Sequence, residues 1–186
     1  MTLATIHRRF GAAATLVGLA GIALALTATA ALAQTARAAL AQAAPAATKW
    51  RGDAVATHVS TLRGGGDGRA ASWLVTFYSP GAKKSAIVTV RDGGKVEVEA
   101  DVRNTSVDAI GSDFVDSDQA VAAAAKAGLK LDKSAKNLGL GLVVGNQALG
   151  KPQLFWSVSV MTDKGMSSVT LSGRDGAFVK RDDVKY

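Results

Sequence analysis

A segment of the sequence recurs 83 residues later, and this recurrence restricts the fold more than any other feature of the chain. Residues 72–77 read Ser-Trp-Leu-Val-Thr-Phe, and residues 155–160 read Phe-Trp-Ser-Val-Ser-Val. The same offset pairs Arg91-Asp92-Gly93 with Arg174-Asp175-Gly176. Because the chain has only three tryptophans, a matched tryptophan and an identical tripeptide at one offset indicate two copies of one structural unit.

Both copies show the alternation of apolar and polar side chains that is typical of antiparallel strands with one buried face. The apolar positions recur at every second residue around Trp73 and Trp156 and in the segment that follows each of them. We therefore expect these two tryptophans to anchor the cores of their units. Asp92-Gly93-Gly94 and Asp175-Gly176 supply residues that tolerate the positive φ of a tight turn between strands.

A helix is predicted ahead of the strands in each copy. In the first copy, apolar residues at i, i+4 and i+7 predict a helix that begins near Asp53 and ends at Gly64. Its apolar positions are Val55, Val59 and Leu62. In the second copy, residues 116–119 have the spacing of a capping box, residues 120–127 are strong helix formers, and Gly128 ends the run.

The second copy is predicted to contain an insertion of 17 residues. Ala54-Val55-Ala56 matches Ala120-Val121-Ala122 at an offset of 66 instead of 83, so the additional residues fall at about 129–147. Within them, residues 138–144 are apolar and contain two glycines. This stretch is either an extra strand or a partner-binding loop.

The fold class predicted from these patterns is α+β, with two tandem units that each consist of a helix packed on a small antiparallel β-sheet. The two sheets either face one another or join edge to edge. The first unit spans residues 50–104, and the second spans 105–186. Residues 34–49 are mostly alanine and have too few large apolar side chains for a core, which favours a flexible or partly helical lead-in.

Residues 1–33 have the features of a cleavable signal peptide. A positive start precedes an apolar run at about 12–26, and Ala31-Leu32-Ala33 supplies the small-x-small cleavage site. A membrane anchor is the competing interpretation, and Arg8-Arg9-Phe10 leaves twin-arginine export open beside general secretion. We expect a mature protein in a bacterial periplasm or outside the cell, with no stable membrane insertion after cleavage and no nucleic acid as a partner.

The residue inventory excludes several kinds of chemistry. Without cysteine there is no disulfide, no cysteine-based metal site and no cysteine nucleophile. After signal removal His58 is the only histidine, so neither a Ser-His-Asp triad nor a histidine-rich metal site is expected. The acidic cluster Asp113, Asp116 and Asp118 is typical of helix capping rather than of a calcium loop. The sequence therefore predicts no enzyme, no metal and no cofactor.

The alanine-rich helix, the Trp-x-Val-x-Val strand, a second strand and an Asp-Gly turn before a short valine strand resemble the PepSY-like domain family, in tandem, degenerate copies. Residues 116–182 are the better match, although Asp175 and Gly176 are adjacent where the family spaces them further apart. The resemblance implies a non-catalytic module that binds or restrains a protein partner, often a peptidase. It supplies no catalytic residues.

Basic residues at a turn and near the C-terminus are the candidate partner contacts. They are Lys83, Lys84, Lys180 and Arg181. The chain carries 22 basic and 15 acidic side chains, and removing the two arginines of the signal leaves 20 basic ones, a net charge of +5. This surplus favours an acidic partner and keeps a second hypothesis open, a small basic envelope protein that binds an anionic polymer or a membrane surface.

Overall fold

A computed structural model describes residues 33–103, 106–131, 138–145, 151–162 and 164–185. Within these ranges the chain forms two helices, α1 (Ala36–Trp50) and α2 (Ser117–Lys126), and eight strands. The strands are β1 (Val55–Gly64), β2 (Ser72–Ser79), β3 (Lys84–Arg91), β4 (Val96–Val102), β5 (Leu138–Gly145), β6 (Gln153–Thr162), β7 (Gly165–Ser172) and β8 (Phe178–Lys185). No helix in these ranges has the length and hydropathy needed to span a bilayer.

All eight strands belong to one antiparallel sheet in the order β4-β3-β2-β1-β5-β6-β7-β8. The prediction of two tandem units, each with its own small sheet, is therefore wrong. The two groups of strands join at the centre, where β1 pairs with β5 and Val59 lies opposite Leu142. In two separate sheets β1 and β5 would each be an edge with unpaired backbone N–H and C=O groups, and their mutual pairing satisfies these groups.

Both helices pack on the same face of this sheet and share one hydrophobic core. The helix alanines belong to a single buried cluster with the large side chains of both strand groups. Helix α1 contacts β1 to β4, and α2 contacts β6 and β7. Trp73 and Trp156 are fully buried in this layer.

The two helices meet at their N-termini, where each tryptophan also forms a hydrogen bond. The indole Nε1–H of Trp73 donates to the Gln34 carbonyl at 2.9 Å, and that of Trp156 donates to the Val115 carbonyl at 2.8 Å. Each acceptor lies two residues before the first residue of a helix. The Ala36 N–H donates to Ser117 Oγ at 3.0 Å, so the first residues of α1 and α2 are linked directly.

Residues 34–49, expected to be a flexible or partly helical lead-in outside the core, are mostly helix α1. Of the two alternatives the structure shows the helical one, and the expectation that the segment lies outside the core is wrong. Ala36, Ala39, Ala43 and Ala47 form a buried stripe along the helix. Their small side chains allow the helix backbone to approach the sheet closely, and the large apolar side chains of the contact come from the strands. A helix with few large apolar residues can therefore be part of a core whose large side chains come from the strands it packs on.

The helix predicted from Asp53 to Gly64 is also wrong, because residues 55–64 form strand β1. The segment is rich in the β-branched residues Val and Thr, which favour strands. It lies between β2 and β5, which satisfy its backbone groups on both sides. Leu62, expected on the apolar face of a helix, is 79% exposed.

The 17-residue insertion does not exist as such, since it contains β5, the strand that corresponds to β1. Val55 and Leu138, the first residues of the two strands, are themselves 83 positions apart. The match at an offset of 66 aligned residues 54–56, at the start of strand β1, with residues 120–122 of helix α2, which are different kinds of element. Of the two alternatives for residues 138–144, the structure shows the strand.

Two local predictions are confirmed. Helix α2 begins with a capping box, in which Asp116 caps the helix and the Gln119 side chain accepts from the Asp116 N–H at 3.0 Å. Gly93 and Gly176 in the Asp-Gly turns have φ values of 74° and 72°, the left-handed region that glycine tolerates. The predicted signal peptide up to residue 32 lies outside the described residues.

Candidate binding surface

The face of the sheet opposite the helices, here called the open face, carries no helix in the described ranges. Successive side chains of a strand point to opposite faces, so the residues between the core positions point to this side. The registers place a row of mostly small or polar side chains across the strands. The row consists of Thr89, Leu74, Ser60, Gly141, Ser157 and Thr170.

Large apolar side chains are exposed at one end of the open face. Leu62 is 79% exposed, Met161 is 69% exposed and Leu74 is 40% exposed. Leu62 lies on a central strand, where most apolar side chains of this fold are buried. Exposed apolar side chains grouped on one surface are typical of interaction sites.

These side chains border two adjoining grooves. The larger, here called the methionine groove, has a volume of 580 Å³ and is lined by Leu62, Arg63, Ser159, Met161 and Met166 among others. Gly139 forms part of its floor, and a side chain there would collide with Ser159 Oγ. Glycine at this position therefore keeps the groove open.

The smaller, here called the leucine groove, has a volume of 350 Å³ and is lined by Leu62, Leu74, Thr89 and Arg91 among others. Leu62 and Arg63 line both grooves, so the grooves meet at these two residues. Together they form a continuous depression across the strands at this end of the sheet, lined by both apolar and polar side chains.

The charged residues that line the two grooves are both arginines, Arg63 and Arg91. Arg91 Nη2 lies 3.3 Å from Glu97 Oε2, so its charge is already paired. The Arg63 guanidinium has no ion pair or hydrogen bond within the described part of the chain; only the backbone N–H of this residue donates, to Thr61 Oγ1 at 3.2 Å. The depression therefore has one unpaired positive charge at its centre.

His58 lies near the centre of the open face, opposite Thr76 on β2 and Val143 on β5. Burial lowers its pKa below the ordinary value of 6.5, so the imidazole is neutral at pH 7. Nothing in the described ranges places three His, Asp or Glu side chains together as a possible metal site. Of the acidic cluster, Asp116 caps α2 and Asp113 pairs with Arg174 at 2.6 Å.

The structure does not bring the four basic residues predicted as partner contacts together. Lys83 and Lys84 lie exposed at the turn between β2 and β3, whereas Lys180 and Arg181 lie on β8, the opposite edge of the sheet. Lys180 Nζ is 2.8 Å from Asp182 Oδ2, and Arg181 pairs with Asp183 and donates to the Gly128 carbonyl. Intramolecular partners therefore occupy the two basic residues on β8.

Sequence reasoning missed Leu62, Arg63 and Met161 as site residues. The available signal was a break in alternation, since Met161 follows Val160 directly and extends the apolar pattern onto the polar face of β6. Once residues 55–64 are interpreted as a strand, Leu62 likewise follows a core position, Thr61, directly and is an apolar residue on the polar face. Interpreting that segment as a helix concealed the signal.

Comparison with known proteins gives one structural likeness. No family model matches the chain, and no curated protein matches it. A crystal structure of a protein from Clostridium difficile 630, described as a putative lipoprotein, matches with a TM-score of 0.53 and 14% sequence identity. The match covers 76% of this chain and 90% of the other. At this identity the likeness shows a shared fold.

Proposed function

We propose that this protein is an exported, non-catalytic module that binds another protein through the open face of its sheet. The observation that carries the proposal is the group of exposed apolar side chains, Leu62, Leu74 and Met161, around two grooves on a helix-free face. Fully burying an exposed side chain of this size contributes about 1.5–3 kcal/mol. A protein partner that covers this group gains most of that contribution from Leu62 and Met161, because Leu74 is already more than half buried.

Three observations support export and the kind of partner. The first 33 residues have the pattern of a signal peptide, which favours the periplasm or the exterior. The structural neighbour from Clostridium difficile carries the description of a lipoprotein, a class attached to the cell envelope. The resemblance to PepSY-like domains favours a peptidase as the partner, with the module as an inhibitor or modulator.

The test is site-specific photo-crosslinking in the host from which the gene comes. A benzoylphenylalanine residue at position 161 places the crosslinker on the open face, and one at position 41 places it on the exposed side of α1. We expect a discrete crosslinked protein from position 161 at both low and high salt, and none from position 41. Since a packed apolar interface resists salt, loss of the product at high salt would contradict the proposal and favour charge-driven envelope binding.

A further inference from the structure

We infer that the partner presents an extended segment in which an aspartate or glutamate lies next to a large apolar residue. The carboxylate binds Arg63, and the apolar side chain enters the methionine groove. This inference rests on the proposed function and names the chemistry that its binding surface recognises.

The Arg63 guanidinium is available to a ligand, because no group of the described chain binds it. Six of the eight arginines in the described ranges use their guanidinium groups in ion pairs or hydrogen bonds within the molecule. Arg63 does not, although it is the one that lies where the two grooves meet. A guanidinium binds a carboxylate through two parallel hydrogen bonds, so an incoming acidic side chain is its natural partner.

The lining of the grooves is the second argument. Leu62, Met161 and Met166 give the methionine groove apolar walls, and Ser159 and Thr162 add hydroxyl groups. No acidic side chain of the described chain lines either groove. Its volume of 580 Å³ is within the range of sites that enclose a small ligand, and methionine adapts to side chains of different shape. An apolar residue beside a carboxylate matches this combination.

The edges of the open face favour a narrow segment over a membrane surface. The register of β4 places Glu97 and Glu99 on the open face, opposite Thr89 and Ile87, and that of β8 places Asp182 there, opposite Ser168. Glu97 pairs with Arg91 and Lys95, and Asp182 pairs with Lys180, so the basic side chains at these edges are already neutralised. The edges therefore offer no surplus of positive charge to an anionic lipid surface. A peptide segment can lie between the edges and reach Arg63 alone.

The test is a selection, from a displayed library of random peptides, of those that bind the purified protein. We expect enriched peptides to share an acidic residue adjacent to Leu, Ile, Met or Phe. Synthetic copies should bind R63Q at least tenfold more weakly than the unaltered protein. They should bind K126Q, which removes one positive charge from the exposed side of α2 on the other face of the sheet, within twofold of the unaltered protein. A peptide with lysine in place of its acid should bind R63E better than the unaltered protein.

The opposite results overturn the inference separately from the proposed function. Enriched peptides without an acidic residue, or equal affinities of R63Q and the unaltered protein, would remove the carboxylate from the interaction. Photo-crosslinking from position 161 would still test the docking surface itself. Flotation with phosphatidylglycerol vesicles that R63Q abolishes, without peptide binding, would overturn the inference in favour of a lipid surface. Thermal unfolding of R63Q and K126Q by circular dichroism checks that both variants fold.

Discussion

At the scale of single residues, two buried tryptophans connect the sheet to the helices through the one polar atom of each indole ring. Trp73 and Trp156 fill the core, and each places its N–H on a carbonyl just before a helix. The indole therefore fixes the position of the helix start as well as the packing of the strand. His58, a partly buried polar ring, faces the opposite side of the sheet.

Replacing Trp156 by phenylalanine should lower the free energy of unfolding by about 1–3 kcal/mol. The substitution leaves the Val115 carbonyl without its 2.8 Å hydrogen bond in a buried site. Urea denaturation followed by far-ultraviolet circular dichroism measures the change. Trp50→Phe is the matched control, because Trp50 is only partly buried and its indole Nε1–H has no hydrogen bond within the described chain. Equal losses in both variants would contradict the assigned role of the Trp156 N–H.

His58 should make the protein less stable as the pH falls below about 6.5. Its pKa in the folded state is lowered by burial, so between the folded and unfolded pKa values the unfolded chain binds more protons. Stability from this group is complete above pH 6.5 and decreases as the pH falls toward the folded pKa. Denaturation midpoints between pH 8 and pH 5 measure the effect. In His58→Gln the slope in this window should disappear, and its persistence would assign the slope to other groups.

At the scale of secondary-structure elements, both helices contact the sheet through small residues at the same spacing. The buried positions Ala36, Ala39 and Ala43 of α1 correspond in spacing to Ser117, Ala120 and Ala124 of α2. Small side chains at these positions set the distance between helix and sheet. The capping of the helices adds a second constraint, since Asp116 serves both N-termini.

Enlarging one position of the α1 stripe should destabilise the protein. Ala43→Leu adds a large side chain to a fully buried position, and overpacking of this kind costs about 1–3 kcal/mol. Ala41→Leu adds the same atoms on the exposed side of α1 and should stay within about 0.5 kcal/mol of the unaltered protein. Thermal unfolding of both variants decides whether α1 is part of the core. Similar melting temperatures would contradict its packing against the sheet.

Removing the Asp116 carboxylate should destabilise both helix starts. Asp116 Oδ1 accepts from the Ser117 N–H at 2.8 Å and from the Arg37 N–H at 3.0 Å. Loss of an N-cap costs about 0.5–2 kcal/mol, and we expect Asp116→Ala to lie near the upper end because two helices lose an acceptor. Asp108→Ala, at an exposed position without such bonds in the described chain, is the control in chemical denaturation. A loss no larger than that of the control would refute the shared cap.

At the scale of the whole molecule, the pairing of β1 with β5 makes one structure out of two similar halves. The central pair has regular antiparallel partners from His58 and Val143 to Thr61 and Leu140. The hydrogen bond from Ala36 to Ser117 joins the halves again on the helix side. The methionine groove is lined by strands from both halves, so this groove exists only in the joined molecule.

The two halves should not fold independently. Fragments of residues 33–103 and 106–186 each leave a central strand unpaired and part of the shared core exposed. We expect neither fragment alone to unfold cooperatively, and we expect an equimolar mixture to recover strand content and cooperative unfolding by circular dichroism. Cooperative unfolding of each isolated fragment would show that the central pairing is dispensable.

The start of α2 and the Asp-Gly turns were predictable from the sequence, whereas α1, β1 and the candidate site were not. The capping box at Asp116 and the positive φ of Gly93 and Gly176 follow from hydrogen-bonding groups and steric freedom within a few residues. Leu62 and Arg63 can be identified as site residues only once β1 is known to lie between β2 and β5. Their exposure depends on which face the helices cover, and no short segment of sequence contains that information.

The sequence by itself determined where chain reversals occur, which strands alternate around Trp73 and Trp156, and where α2 begins, because neighbouring residues set these features. The tertiary structure decided that α1 is a core helix, that residues 55–64 form a strand, and that two strand groups form one sheet. The physical reason is that these segments gain their stability from distant partners. Alanines are buried only under a sheet that supplies large side chains, and β1 and β5 satisfy their backbone groups only through each other.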